Sequence, residues 1–148
     1  MSQPKLTIIV TCTDRKSANP ARELMVRHLP VGAQRERLRH WRDALARSTA
    51  QRPLTELYAG ETWSQVRALA LKARSLGYDP VMLVASAGLG LQHVLTPAPA
   101  YAATFSPGHP DSVGTTLSDS QVWWAGLPHV DVPPGGRAIW VLSAAYSR

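Results

Sequence analysis

The chain has 148 residues, 45% of them hydrophobic and 18% charged, with a net charge of +6. This is enough for one domain that buries roughly two thirds of its unfolded surface, and the composition excludes wholesale disorder. The longest apolar runs, Val81–Ala85 and Ala138–Leu142, fall far short of the ~18 residues a membrane span needs, and the lone Cys12 excludes an internal disulfide and fits a reducing cytoplasm.

Leu6–Thr11 is a continuous apolar, β-branched run and predicts a central strand buried on both faces. It follows Lys5 at once, with no long apolar core of a signal peptide. Cys12–Pro20 is polar and turn-rich, so it leaves the strand as a loop. Ala21–Leu29 predicts a short helix stopped by Pro30. Ala33–Ala46 predicts a longer helix with Leu38, Trp41 and Leu45 on one side, a narrow stripe expected to make a single thin contact with the core. Pro53–Gly60 reads as a connector. Thr62–Leu76 carries the clearest helical period, through Trp63, Val66, Leu69, Ala70 and Ala73, and Gly77 closes it.

Val81–Ser86 predicts a second buried strand. Ala87 to about Leu117 reads as a long loop, Ser118–Ala125 as a short helix capped by Ser118 or Ser120, and Arg137–Ser143 as a third strand. This alternation predicts an α/β fold with a mainly parallel sheet. Function in such sheets collects at the carboxyl ends of the strands, here Cys12–Lys16, Ser86–Gly90 and Ser143–Tyr146. Only Ala144–Arg148 follow the last strand. The expectation is therefore a fold incomplete at its C-terminus, whose last strand is covered by a protein partner or a second copy.

The positive surplus is local. Residues 14–52 carry ten basic side chains (Arg15, Lys16, Arg22, Arg27, Arg35, Arg37, Arg39, Arg42, Arg47 and Arg52) against four acids (Asp14, Glu23, Glu36 and Asp43). That excess accounts for the whole chain's +6. A one-signed field on one flank of an α/β core suits a polyanion, and thirteen of the sixteen cations are arginine, whose planar fork matches phosphate oxygens.

In Thr11–Ser17 the functional reading makes Arg15 and Lys16 phosphate or base contacts and Asp14 a carboxylate that orients water. The plain reading is a solvated loop in which Asp14 pairs with its basic neighbours. Gly88 and Gly90 after the second strand permit either close approach to a ligand or a tight turn. They form neither a phosphate-binding loop with Gly-Lys-Ser/Thr nor a dinucleotide fingerprint, so no cofactor is expected. Five histidines and one cysteine show no metal-ligand spacing. Tyr101 and Phe105 offer aromatic faces for stacking a base, or pegs for a long loop.

Cys12, Thr13 and Lys16 after a strand, Leu57, Tyr58 and Gly60 in a connector, Ser86, Gly90 and Leu91 in a loop, and Pro99 with Tyr101 downstream occur in that order. This pattern resembles the YaaA-type peroxide-stress proteins and the small domains similar to them, some found beside phage-defence genes. The resemblance implies a three-layer wound fold of uracil-DNA-glycosylase-like type with a basic, DNA-binding cleft. It places Cys12, Thr13, Lys16, Tyr58, Gly60, Ser86, Gly90 and Tyr101 in that cleft. The chain departs from the pattern at Leu89, where the family loop carries a tyrosine, and in being shorter than typical members.

The functional expectation is DNA interaction, with phosphates on the Arg-rich segment, Arg22 included, and a base beside Ser86–Gly90. Excision or exchange of a modified base would need a carboxylate near the sugar, for which Asp14 is the first candidate and Glu23 the second. The alternative is a non-catalytic nucleic-acid-binding subunit of a larger complex.

Overall fold

A computed structural model describes residues 3–12, 16–49 and 51–142. In chain order the elements are β1 (Lys5–Thr11), two 3-10 turns (Arg22–Leu24 and Val26–His28), α1 (Gln34–Arg47), β2 (Arg52–Pro53), α2 (Leu54–Leu57), α3 (Glu61–Ser75), β3 (Asp79–Ser86), β4 (Gly90–His93), β5 (Pro97–Ala98), α4 (Leu117–Ala125) and β6 (Arg137–Val141). A four-stranded sheet has the order β4-β3-β1-β6, and a two-stranded one joins β2 to β5. β1 lies between β3 and β6 and is parallel to both, whereas β4 folds back antiparallel on β3. The protein is thus a mixed α/β fold with a mostly parallel sheet flanked by helices.

Local chemistry explains most boundaries. In α3 the stripe Trp63, Val66, Ala70 and Ala73 is buried, with Leu69 packed against the core. The helix ends where Gly77 takes φ +88°. There the Gly77 amide donates to the Arg74 carbonyl and the Tyr78 amide to that of Ala73, the paired bonds of a Schellman stop. α4 is capped by Thr116, not by Ser118 or Ser120: the Asp119 amide donates to Thr116 Oγ1, and the Asp119 carboxylate accepts from the Thr116 amide. This reciprocal box satisfies two otherwise orphaned donors.

Three expectations change. The Ala21–Leu29 segment forms two 3-10 turns rather than a helix, because its backbone pairs elsewhere: the Val26 amide donates to the Ala102 carbonyl, and the Ala102 amide to that of Leu24. The stretch after Ala87 is not an unbroken loop, since it carries β4 and β5. Four-residue and two-residue strands are too short to show a period of two. α1 does not merely touch the core either. Leu38, Trp41 and Ala44 are buried, and Trp41 has no exposed surface.

The two faces of the sheet are covered unequally. Parallel register puts Ile8 beside Met82 and Ile139, and Val10 beside Val84 and Val141. Ile8, Val10 and Val84 face the main core, which includes Trp41, Trp63 and Trp123. The opposite face carries a smaller cluster of Ile9, Leu83 and Ala85, with Trp124, Val130 and Leu142 against it. The edge strand β6 is exposed along its length. Ser143–Tyr146, at its carboxyl end, lie outside the described residues. No helix among the described residues is long and apolar enough to cross a membrane.

Candidate nucleic-acid interface

The site begins where β1 and β3 stop side by side. The Cys12 amide donates to the Ala85 carbonyl at 3.0 Å, extending the parallel ladder one residue. Beyond Ser86 the chain must reverse into β4, and the Ser86 hydroxyl organises the turn by accepting the Gly88 and Leu89 amides at 3.2 and 3.1 Å. The turn's own carbonyls are met by two indoles from distant helices. Trp123 Nε1 donates to the Ala87 carbonyl, and Trp41 Nε1 donates to the Gly88 carbonyl, each at 2.7 Å. Both tryptophans are fully buried, so these bonds satisfy acceptors that no water reaches.

The glycines here serve internal packing. A Cβ on Gly88 would overlap the Tyr101 ring, and one on Gly90, at φ +81°, would overlap the Pro128 carbonyl. Tyr101 occupies the space that Gly88 leaves.

Tyr101 is the hub of a buried hydroxyl chain. Its hydroxyl lies 2.6 Å from that of Tyr58 and 2.5 Å from the Ser86 hydroxyl. Burial, together with the nearby Cys12, pushes the Tyr58 phenol well above its usual range, although hydrogen bonds with Tyr101 and Ser86 pull the other way. Tyr58 therefore stays a neutral donor and acceptor at any working pH and is unsuited to act as a base. Lys16 Nζ stands 4.4 Å from the Tyr101 ring centroid and 6.0 Å from that of Tyr58, within the range of cation–π attraction for Tyr101. The loop bearing Lys16 is fixed by a backbone bridge to Tyr58 and by the Ser17 amide donating to the Leu57 carbonyl at 2.7 Å.

Two clefts open beside this chain. One, of about 260 Å³, is lined by Lys16, Asn19, Tyr101, His109 and Asp111 among others. The second, of about 390 Å³, is lined by Asn19, Ser48, Gln51 and Arg52 over Leu24, Pro99 and Ala100. Asp111 is already engaged. Its carboxylate accepts from the Arg27 amide and Nε at 3.0 Å each and from Nη2 at 2.6 Å. Burial pushes this carboxyl up, but those Arg27 bonds outweigh it and hold it below the ordinary range.

The Arg-rich helix docks at the same end of the sheet, since Trp41 anchors α1 to the turn that follows β3. The charges divide into two groups. Arg27 pairs with Asp111 and Arg39 with Glu36, while Arg37 donates to the Val113 carbonyl and Arg52 to the Ser17 hydroxyl. Arg22, Arg35, Arg42 and Arg47 are exposed, and their side chains show no hydrogen bond or ion pair among the described residues.

Of the residues expected from sequence, Cys12, Lys16, Tyr58, Ser86, Gly88, Gly90 and Tyr101 converge around the ends of β1 and β3. Gly60 caps α3 with φ +101°. Arg22 and Glu23 sit on the first 3-10 turn, and neither lines the two clefts. Thr13, Asp14 and Arg15 lie outside the described residues. Trp41, Trp123 and the Arg27–Asp111 pair were not legible as site residues, because each acts through partners dozens of positions away, nor was Asn19, whose place between the two clefts is set by the segments packed around it. Comparison with protein-family models, curated proteins and solved structures finds no match to the chain.

Proposed function

We propose that this chain is a nucleic-acid-binding α/β domain, with DNA favoured, that takes phosphates on the exposed arginines of α1 and the first 3-10 turn. A base would enter the cleft over Tyr101. The observation that carries the reading is the anchoring of α1 by Trp41 to the Gly88 carbonyl, which holds the Arg-rich helix against the turn that follows β3. The YaaA-type resemblance, with its three-layer, uracil-DNA-glycosylase-like arrangement, supports the same assignment through Cys12, Lys16, Tyr58, Ser86 and Tyr101. In this reading Asp14 is the carboxylate for excision or exchange of a modified base. A second reading, a binding subunit without chemistry, is favoured by Asp111, the acid that lines the cleft, having both oxygens committed to Arg27.

One set of samples tests both readings. Fluorescence anisotropy with labelled duplex DNA across a salt series should give a log–log slope of about −3.5, as expected when the four free arginines each neutralise a phosphate. Flat salt dependence, or no binding at low salt, removes the proposal. A glycosylase screen over duplexes with varied modified bases separates the readings. Product lost in Asp14→Asn with binding retained assigns chemistry to Asp14, and binding without product on any duplex selects the subunit reading.

A further inference from the structure

The carboxyl end of the sheet has two hollows that share a wall. Ala18, Asn19 and Pro20 line both the cleft of about 260 Å³ over Tyr101 and the cleft of about 390 Å³ that reaches Arg52. Small-molecule pockets start near ~300 Å³, so the smaller hollow falls just short of that size and the larger just exceeds it, and each has room for a base. Pro20 stiffens the wall by fixing its own φ.

The polar groups on either side are complementary in kind. The smaller cleft is lined by Lys16, whose ammonium stands over the buried Tyr101 ring, and by His109. The larger presents Ser48, Gln51 and Arg52 around an apolar floor of Leu24, Pro99 and Ala100. Arg52 is tethered through Nη1 to the Ser17 hydroxyl at 3.0 Å, and that hydroxyl in turn donates to the Glu56 carbonyl at 2.8 Å. Two cations therefore flank one residue, Lys16 from the chain side and Arg52 from across it. Asn19 stands between the hollows, and its carboxamide makes no hydrogen bond among the described residues. A carboxamide of this kind matches the paired donor and acceptor on a base edge.

Resting on the nucleic-acid reading above, we propose that Ala18–Pro20 divides two nucleotide subsites, so that the protein takes two consecutive nucleotides of one strand, one base on each side, with the linking phosphate crossing the divider between Lys16 and Arg52. Bases held this way are unstacked from each other, so the strand is single or locally extruded. Binding to a duplex surface by charge alone would use neither hollow, and a lone nucleotide would leave the second hollow idle.

The test is competition against a labelled single-stranded 12-mer at low salt, using 5′-phosphorylated mono-, di- and trinucleotides of each base. The dinucleotide of the preferred base should compete at roughly tenfold lower concentration than the mononucleotide, a gain of one seated base, while the third nucleotide adds less than about twofold. Arg52→Gln, at an exposed position, should cut dinucleotide competition more than mononucleotide competition, whereas Asn19→Ala, which removes a base contact, should weaken both, each with the thermal midpoint unchanged. A dinucleotide no better than a mononucleotide overturns the divider, as does an equal gain for every added nucleotide or equal losses for both competitors in Arg52→Gln. In each of these cases binding of the 12-mer itself stands. Failure of the wild-type protein to bind the 12-mer removes this inference, and failure to bind duplex DNA as well removes the nucleic-acid reading with it.

Discussion

The two faces of the central sheet share a backbone and differ in everything else. One carries Ile8, Val10 and Val84 into a core that also holds three fully buried tryptophans. The other carries Ile9, Leu83 and Ala85 into a small cluster beside an open apolar groove of about 390 Å³, where Phe105, Trp124, His129 and Trp140 meet. The first face does two jobs, because two of its tryptophans, Trp41 and Trp123, also fasten the turn after β3 through their indole N–H groups. Stability and the candidate site are therefore built from the same side chains on that face. On the second face, apolar residues are present without comparable cover.

Trp41→Ala tests the stronger half of this contrast and should have the largest effect. Losing a fully buried tryptophan costs about 3–5 kcal/mol, measured by denaturant unfolding. It should also weaken DNA binding, because α1 loses its tie to the turn. Unchanged stability would separate the basic helix from the core.

The adjacent pair Ile8 and Ile9 gives an internal comparison, since neither has exposed surface. Ile8→Ala opens a closed cavity and should fall in the upper part of the range of about 2–5 kcal/mol, whereas Ile9→Ala borders the groove and should fall near its lower end. Equal costs would show that the two faces are packed alike. The smallest effect is expected at Trp140, which is 60% exposed: Trp140→Ser should change stability by no more than about 0.5 kcal/mol. A loss of several times that would mean the second face is covered in solution.

The long elements were legible because each repeats one physical signal. The apolar run Leu6–Thr11 became β1 with its centre buried on both sides, and the period of Trp63, Val66, Ala70 and Ala73 became the inner stripe of α3. β4 was hidden because four residues give too few alternations, and its antiparallel return depends on a positive φ at Gly90. The narrow stripe of α1 understated its burial, since one tryptophan reaches across a gap that several smaller side chains would otherwise fill. Among the site residues, Tyr58, Ser86 and Tyr101 were named separately, but nothing in their order disclosed that their hydroxyls form one chain.

What the sequence determined alone is whatever depends on neighbours along the chain: an α/β alternation, the places where helices stop, and a basic excess confined to residues 14–52. The tertiary structure decided which of those charges are neutralised and which are free, as when Arg27 finds Asp111 from 84 positions away. It also decided that Asn19 faces two hollows and that Gly88 makes room for Tyr101. Such outcomes follow from packing distant segments to contact, where volume and hydrogen-bond satisfaction are settled jointly and no local pattern records them.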